Sequence, residues 1–227
     1  MLPAVTLTGF AELSFRRSTV YIDAAPTNYF SANELGDSAG GAGVFPATNP
    51  YNPTGQNILD LRYRFMELGN RVQESIADSP RMILGLQGKL PVSNWTWDAG
   101  LTYSKNTVNQ LSHNQTSDRL VQNALNGISL NGSVRYLNPF GPNDPVLLNY
   151  LRITNPNYDT FEVRSADLGA SGELFTLPAG PVELAVGGEL RTEKMENLGT
   201  QLNRDGQLVA GGQASDNRGD RSIYALY

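Results

Sequence analysis

The stretch from Trp95 to Lys105 constrains this chain more than any other. Trp95, Trp97, Ala99, Leu101 and Tyr103 recur with a period of two, while Thr96, Asp98, Gly100, Thr102 and Ser104 fill the alternate positions. Successive side chains on a strand point to opposite faces, so the pattern predicts a β-strand with one apolar and one polar face, not a helix. Ordinary strands cluster near ~5 to 6 residues, and this alternation persists for roughly twice that. At ~3.3 Å per residue, Trp95 and Tyr103 lie ~26 Å apart along the strand, or ~20 Å along a membrane normal for a tilt of ~40°. Those dimensions suit a lipid-facing strand with an aromatic girdle at each interface, in which Trp95, Trp97, Leu101 and Tyr103 meet lipid.

Similar alternation recurs along the chain. Val5, Leu7, Gly9, Ala11, Leu13 and Phe15 oppose Thr6, Thr8, Glu12, Ser14 and Arg16, with Phe10 out of pattern, so a first strand is predicted over 4–17. Met82 to Leu90, Ala166 to Thr176 and Val182 to Leu190 predict further strands, and Ile223, Ala225 and Tyr227 predict the apolar positions of a last one. Leu59 to Phe65 and Val72 to Ser75 flank Gly69-Asn70 and predict a hairpin; Asp205-Gly206 predicts a smaller one. Connections at Pro91 and Pro178 take about five residues, whereas 18–57, 106–157 and 195–220 are long polar loops, and short alternates with long. Tight turns at one end and extended loops at the other are the habit of outer-membrane barrels. Within the second long loop, Ser117 as N-cap, a run to Asn126 and Gly127 beyond it predict one short helix.

Other classes lose support. No apolar run reaches the ~18 residues of a transmembrane helix. Cysteine is absent, which removes disulfides and thiolate metal sites. The net charge of -5 has no basic cluster behind it, so nucleic acid is not an expected partner. His113 is the only histidine and has no nucleophile motif beside it; no Walker loop, H-E-x-x-H or dinucleotide fingerprint occurs. Neither catalysis nor a cofactor or metal is expected. Asp216, Asn217 and Asp220 near Gly219 lack EF-hand spacing and read as solvated loop.

A set of short motifs carries a resemblance. Asn49-Pro50-Tyr51-Asn52-Pro53 is followed by Arg62, Arg64, Glu67, Gly69 and Arg71, then by Gly85-Leu86-Gln87-Gly88 and Asn94-Trp95-Thr96-Trp97-Asp98. Further on come Ala124-Leu125-Asn126-Gly127, Asn138-Pro139-Phe140-Gly141 and Leu177-Pro178-Ala179-Gly180-Pro181, leading to Gly187-Gly188-Glu189. In order and spacing they resemble the central part of the barrel of TonB-dependent receptors of the Gram-negative outer membrane. The resemblance implies a large barrel of about twenty-two strands, closed by a plug domain. It also implies TonB-driven uptake of a scarce nutrient such as a ferric siderophore, cobalamin or an oligosaccharide.

The expectation is therefore all-β: residues 1–227 form one partial domain, an antiparallel up-and-down transmembrane barrel segment of about five to seven long strands. No plug, TonB box or signal peptide is recognisable, so the chain is expected to be a fragment that cannot transport by itself. Its implied partners are outer-membrane lipid, the rest of the barrel with its plug, TonB through the full-length receptor, and a small nutrient ligand. Tyr51 and Phe140, each following Asn-Pro in a long loop, are candidate ligand-contacting rings; the bland reading is that Asn-Pro is turn chemistry and the rings pack beneath the loops. The competing fold is a soluble or surface-attached β-sandwich acting as a binding module or adhesin, because alternation marks any half-buried antiparallel sheet.

Overall fold

The computed structural model describes residues 7–30, 43–90, 94–209 and 215–227. The predicted turn at Pro91 and the start of the first predicted strand, before Leu7, lie outside them. In chain order the strands are β1 (Leu7–Ala24), β2 (Asn28–Phe30), β3 (Arg62–Arg64), β4 (Arg71–Lys89) and β5 (Thr96–Gln115). Helix α1 (Asp118–Asn126), β6 (Ile128–Leu130), β7 (Ser133–Arg135) and α2 (Pro145–Leu151) follow. The chain then continues through β8 (Ile153–Leu177), β9 (Gly180–Leu198), α3 (Gln201–Arg204) and β10 (Asn217–Leu226).

The long strands form one six-stranded antiparallel sheet in the order β1-β4-β5-β8-β9-β10, so each pairs with the next long strand in the chain. The fold is all-β, and its sheet is open: β1 and β10 are its two edges. Register assigns the faces, because residues directly opposite across a ladder share a side. Leu84 lies opposite Leu101, Leu101 opposite Ala166, Ala166 opposite Leu190 and Leu190 opposite Tyr224, which makes one apolar row. One residue along, Phe10, Gly85, Gly100, Asp167, Glu189 and Ala225 make a row on the other face. Pro80 has no N–H to give, and the β4–β5 ladder skips Ser79 and Pro80; the Ser79 hydroxyl bridges the gap to Asn106 Oδ1 at 3.0 Å.

The hydrophobic core does not lie on this sheet. Tyr29, Phe45, Leu61, Phe65, Leu68, Val121, Ala124, Leu125, Leu137, Leu147, Leu151 and Val209 are buried together, and every one belongs to a segment between long strands. On the apolar face of the sheet, by contrast, Leu13 is 76% exposed, Leu101 54%, Leu168 59% and Leu190 57%. A large aliphatic side chain gains ~1.5 to 3 kcal/mol from burial, and these leucines forgo most of that gain within the sheet.

Several sequence-based expectations are corrected. The loops predicted over 18–57 and 106–157 are shorter, because β1 runs to Ala24, β5 to Gln115, and β8 starts at Ile153. Asn106 to Gln115 carries polar residues on both faces, so hydropathy gives no period there, and the ladder with β8 holds it extended. The hairpin predicted about Gly69-Asn70 does not form. β3 pairs with β2, Met66 to Leu68 is a single 3-10 turn, and β4 starts after Gly69, whose φ is +82°. Asp205-Gly206 ends α3 instead of turning a hairpin. In β10, Ile223 and Ala225 oppose Arg191 and Glu189 on the polar face, and Tyr224 and Leu226 take the apolar one.

Candidate ligand platform

The long connections gather at one end of the sheet into a folded cap, and hydrogen bonds from short polar side chains give it its shape. Asn49, 2% exposed, accepts the Tyr51 N–H on Oδ1 at 2.9 Å and donates from Nδ2 to the carbonyls of Leu125 at 2.8 Å and Leu137 at 3.2 Å. Asn138 Oδ1 accepts the Phe140 N–H at 3.0 Å. The two Asn-Pro-aromatic motifs thus fold into the same Asx turn, in which the asparagine replaces a backbone acceptor and the proline fixes φ. Asn52 holds the first loop through the carbonyls of Pro46 and Gln56 and the N–H of Thr54.

Both motifs are fastened to one frame. The buried Phe45 ring meets Phe140 at a centroid distance of 6.0 Å, and Phe45 pairs with Ile58 by two backbone hydrogen bonds. Glu67 accepts the Asn143 N–H at 2.9 Å and its Nδ2 at 2.7 Å, which ties the turn before β4 to the loop after Phe140. Tyr51 is 45% exposed and Phe140 64% exposed, and Leu59 and Met66 stand out from neighbouring turns of the same frame. Neither residue is buried beneath its loop: Tyr51 is exposed, and Phe140 meets Phe45 yet stays exposed.

The two cap helices follow their capping chemistry. Ser117 Oγ accepts the Leu120 N–H at 3.3 Å, and the predicted helix runs over Asp118–Asn126 with Gly127 at φ +96°. Helix α2 was not expected from the sequence, although Asp144-Pro145 is a sufficient signal: Asp144 Oδ1 accepts the Val146 N–H at 2.7 Å, and proline sits at the first helical position. That backbone bond, and then the Arg135 guanidinium, hold the Asp144 carboxyl below the usual carboxylate range. Asp118 has no such support, and burial pushes its carboxyl up to about 7. Burial also pushes the Tyr63 hydroxyl up to about 12, with Glu67 adding to the shift. Tyr29 rises as well, through burial and then the neighbouring Asp118. The Tyr29 hydroxyl, Thr116 Oγ1 and Asp118 Oδ2 are all buried without a hydrogen-bond partner.

On the sheet, Trp97, Leu101 and Tyr103 occupy the apolar face of β5. Trp95 precedes the strand, lies against Gly172 and donates from Nε1 to the Glu173 carbonyl at 3.1 Å. The Arg164 guanidinium stands 5.8 Å from the centre of the Tyr103 ring, whose hydroxyl donates to Glu162 at 3.5 Å. His113 Nδ1 and Thr154 Oγ1 are 3.1 Å apart. Asp216 pairs with Arg204 at 3.0 Å and accepts the Gly199 N–H at 3.2 Å. Among the described residues no group of three or more His, Cys, Asp or Glu side chains is placed to hold a metal ion.

No helix among the described residues is long and apolar enough to cross a membrane, which says nothing of strands. No family model matches the chain, and neither a curated protein nor a solved structure matches it.

Proposed function

We propose that this chain supplies barrel wall and external ligand-capturing loops to a TonB-dependent outer-membrane receptor that takes up a scarce nutrient, a ferric siderophore, cobalamin or an oligosaccharide. The observation that carries the reading is the separation of the two apolar populations: the cap buries its own core, while the leucines of the sheet stay uncovered. In water such a face is costly; against acyl chains it costs nothing. A bilayer also demands that every backbone donor and acceptor be paired within protein, which the inner four strands approach, flanked on both sides and broken in the β4–β5 ladder only at Ser79 and Pro80, and the open edges do only with further strands beside them. The cap then stands on the external side, as the loop asymmetry requires, and offers Tyr51 and Phe140 to the ligand.

A sandwich of the same sequence needs a second layer over the apolar face, and the described residues contain none. The test is refolding of the purified chain in buffer and in detergent micelles. A monodisperse, strand-rich protein in detergent and aggregation in buffer are expected; a monodisperse folded chain in buffer alone overturns the membrane reading. Equilibrium binding of the purified chain in detergent to the three nutrient classes tests the receptor reading. Failure to bind any of them removes the capture role from the cap.

A further inference from the structure

The geometry points to a binding site for one anionic phospholipid on the apolar face, and this inference rests on the membrane reading above. In the row next above the apolar band, toward the cap, Lys105 of β5 lies opposite Glu162 of β8, and Glu162 lies opposite Lys194 of β9. Arg164 lies one row nearer the band, opposite Tyr103. Its guanidinium bonds Glu162 at 2.8 Å yet its side chain stays 65% exposed, while Glu162 is 16% exposed. The carboxylate is thus spent inside the cluster, holding Arg164 and the Tyr103 hydroxyl, while Arg164 and Lys194 are exposed and Lys105 half-buried. Asp220, opposite Lys194 on the edge strand, offsets one charge, so three cations against two carboxylates leave the cluster positive.

Immediately below, Leu101, Ala166 and Leu190 form the next row. Leu101 and Ala166 form the near side of a hollow of about 740 Å³ that runs on over Ala99, Leu84, Leu86 and Ala11 of β5, β4 and β1, with the three cations outside its lining. The small side chains make the depression and the leucines make its rim. A cationic cluster one row above an apolar hollow matches the two halves of one amphiphile: an anionic phosphate above, an acyl chain below. Lone charge pairs across a ladder would serve the sheet equally well without the hollow.

The experiment is flotation of the purified full chain with two kinds of vesicle, phosphatidylcholine alone and phosphatidylcholine with about a third phosphatidylglycerol. Wild type is expected on both, with roughly fivefold tighter association with the anionic vesicles, the effect of one net positive charge near such a surface. The triple variant Lys105→Gln, Arg164→Gln, Lys194→Gln loses that gain and keeps its association with the neutral vesicles. A control triple on the opposite face, Arg16→Gln, Arg81→Gln, Arg191→Gln, keeps the gain. Equal association of wild type with both vesicles, or an equal loss in the control, overturns the lipid site while leaving the membrane reading intact. Absence of wild type from both kinds of vesicle overturns the membrane reading and the lipid site with it.

Discussion

The ring of Phe10 on β1 lies across Gly85 of β4, on the face of the sheet that also carries Asp98 and Asp167. Glycine weakens a strand by entropy and by the packing it cannot make, and an aromatic ring laid over it from the neighbouring strand restores contact. A methyl group at Gly85 would overlap this ring. Gly85→Val is therefore expected to destabilise the sheet by ~1 to 3 kcal/mol, the usual cost of overpacking. Phe10→Ala in the same chain should recover most of it. Urea midpoints of the detergent-refolded protein check this; no recovery in the double variant would mean that the cost lies in the backbone at position 85.

Leu101 and Thr102 are neighbours in sequence and point to opposite faces of β5. Arginine on a lipid-facing strand position near the membrane midplane costs ~2 to 4 kcal/mol, and a lumen-facing one far less. Leu101→Arg should impair assembly into outer membranes strongly and Thr102→Arg weakly. Equal assembly yields for the two would contradict the assigned faces.

Asn49 serves two carbonyls that are otherwise buried. Asn49→Ala leaves Leu125 O and Leu137 O without that donor, at a cost of ~1 to 3 kcal/mol for each buried group left unsatisfied. Because Leu137 O adjoins the Asn138 turn, limited proteolysis should open both aromatic loops together. Cleavage confined to the first loop would show that the frame does not couple them.

The Asp118 carboxyl titrates near 7 in the fold against 3.8 unfolded, so the folded cap holds a proton that the unfolded chain releases. Its contribution to stability is complete below pH ~4 and is lost as pH rises from there to ~7. Asp144 has the opposite sign: its lowered value contributes above the usual carboxylate range and is lost as pH falls through it. Asp118→Asn should remove the decline between pH ~4 and ~7 and stabilise the cap at neutral pH. Cap proteolysis rates across that range, unchanged by the substitution, would assign the decline to another group.

Tyr51 and Phe140 carry the capture role if the cap binds ligand. Tyr51→Ala and Phe140→Ala should each weaken binding by ~1 kcal/mol or more, as lost stacking does, with the Asn49 and Asn138 turns and the Glu67–Asn143 bonds left to hold the frame. Titration of the bound nutrient reads the loss; unchanged affinity in both would place the contact elsewhere on the cap.

Much of this was legible along the chain. The period of two at Trp97 to Tyr103 determined a strand and its two faces, because alternation is a property of the extended backbone and needs no partner. Ser117 and Gly127 bounded a helix by the same local logic. Leu59, Leu61 and Phe65 misled for the converse reason: their alternation read as a hairpin, but Leu61 and Phe65 are buried in the cap core with Val121 and Leu147. The polar half of β5 was invisible because its strand state is imposed by pairing with β8. Asn49 gave a turn by its type; that it also clasps residues 76 and 88 positions away depended on the assembled cap. Sequence alone determined the apolar stretches of the long strands from β1 to β9, their two faces and the alternation of short and long connections, all set by neighbours in the chain, but it put Ile223 and Ala225 on the wrong face of β10. Tertiary structure alone decided that the long connections share one core and that the sheet's leucines stay uncovered, because burial depends on what distant segments bring to the same place.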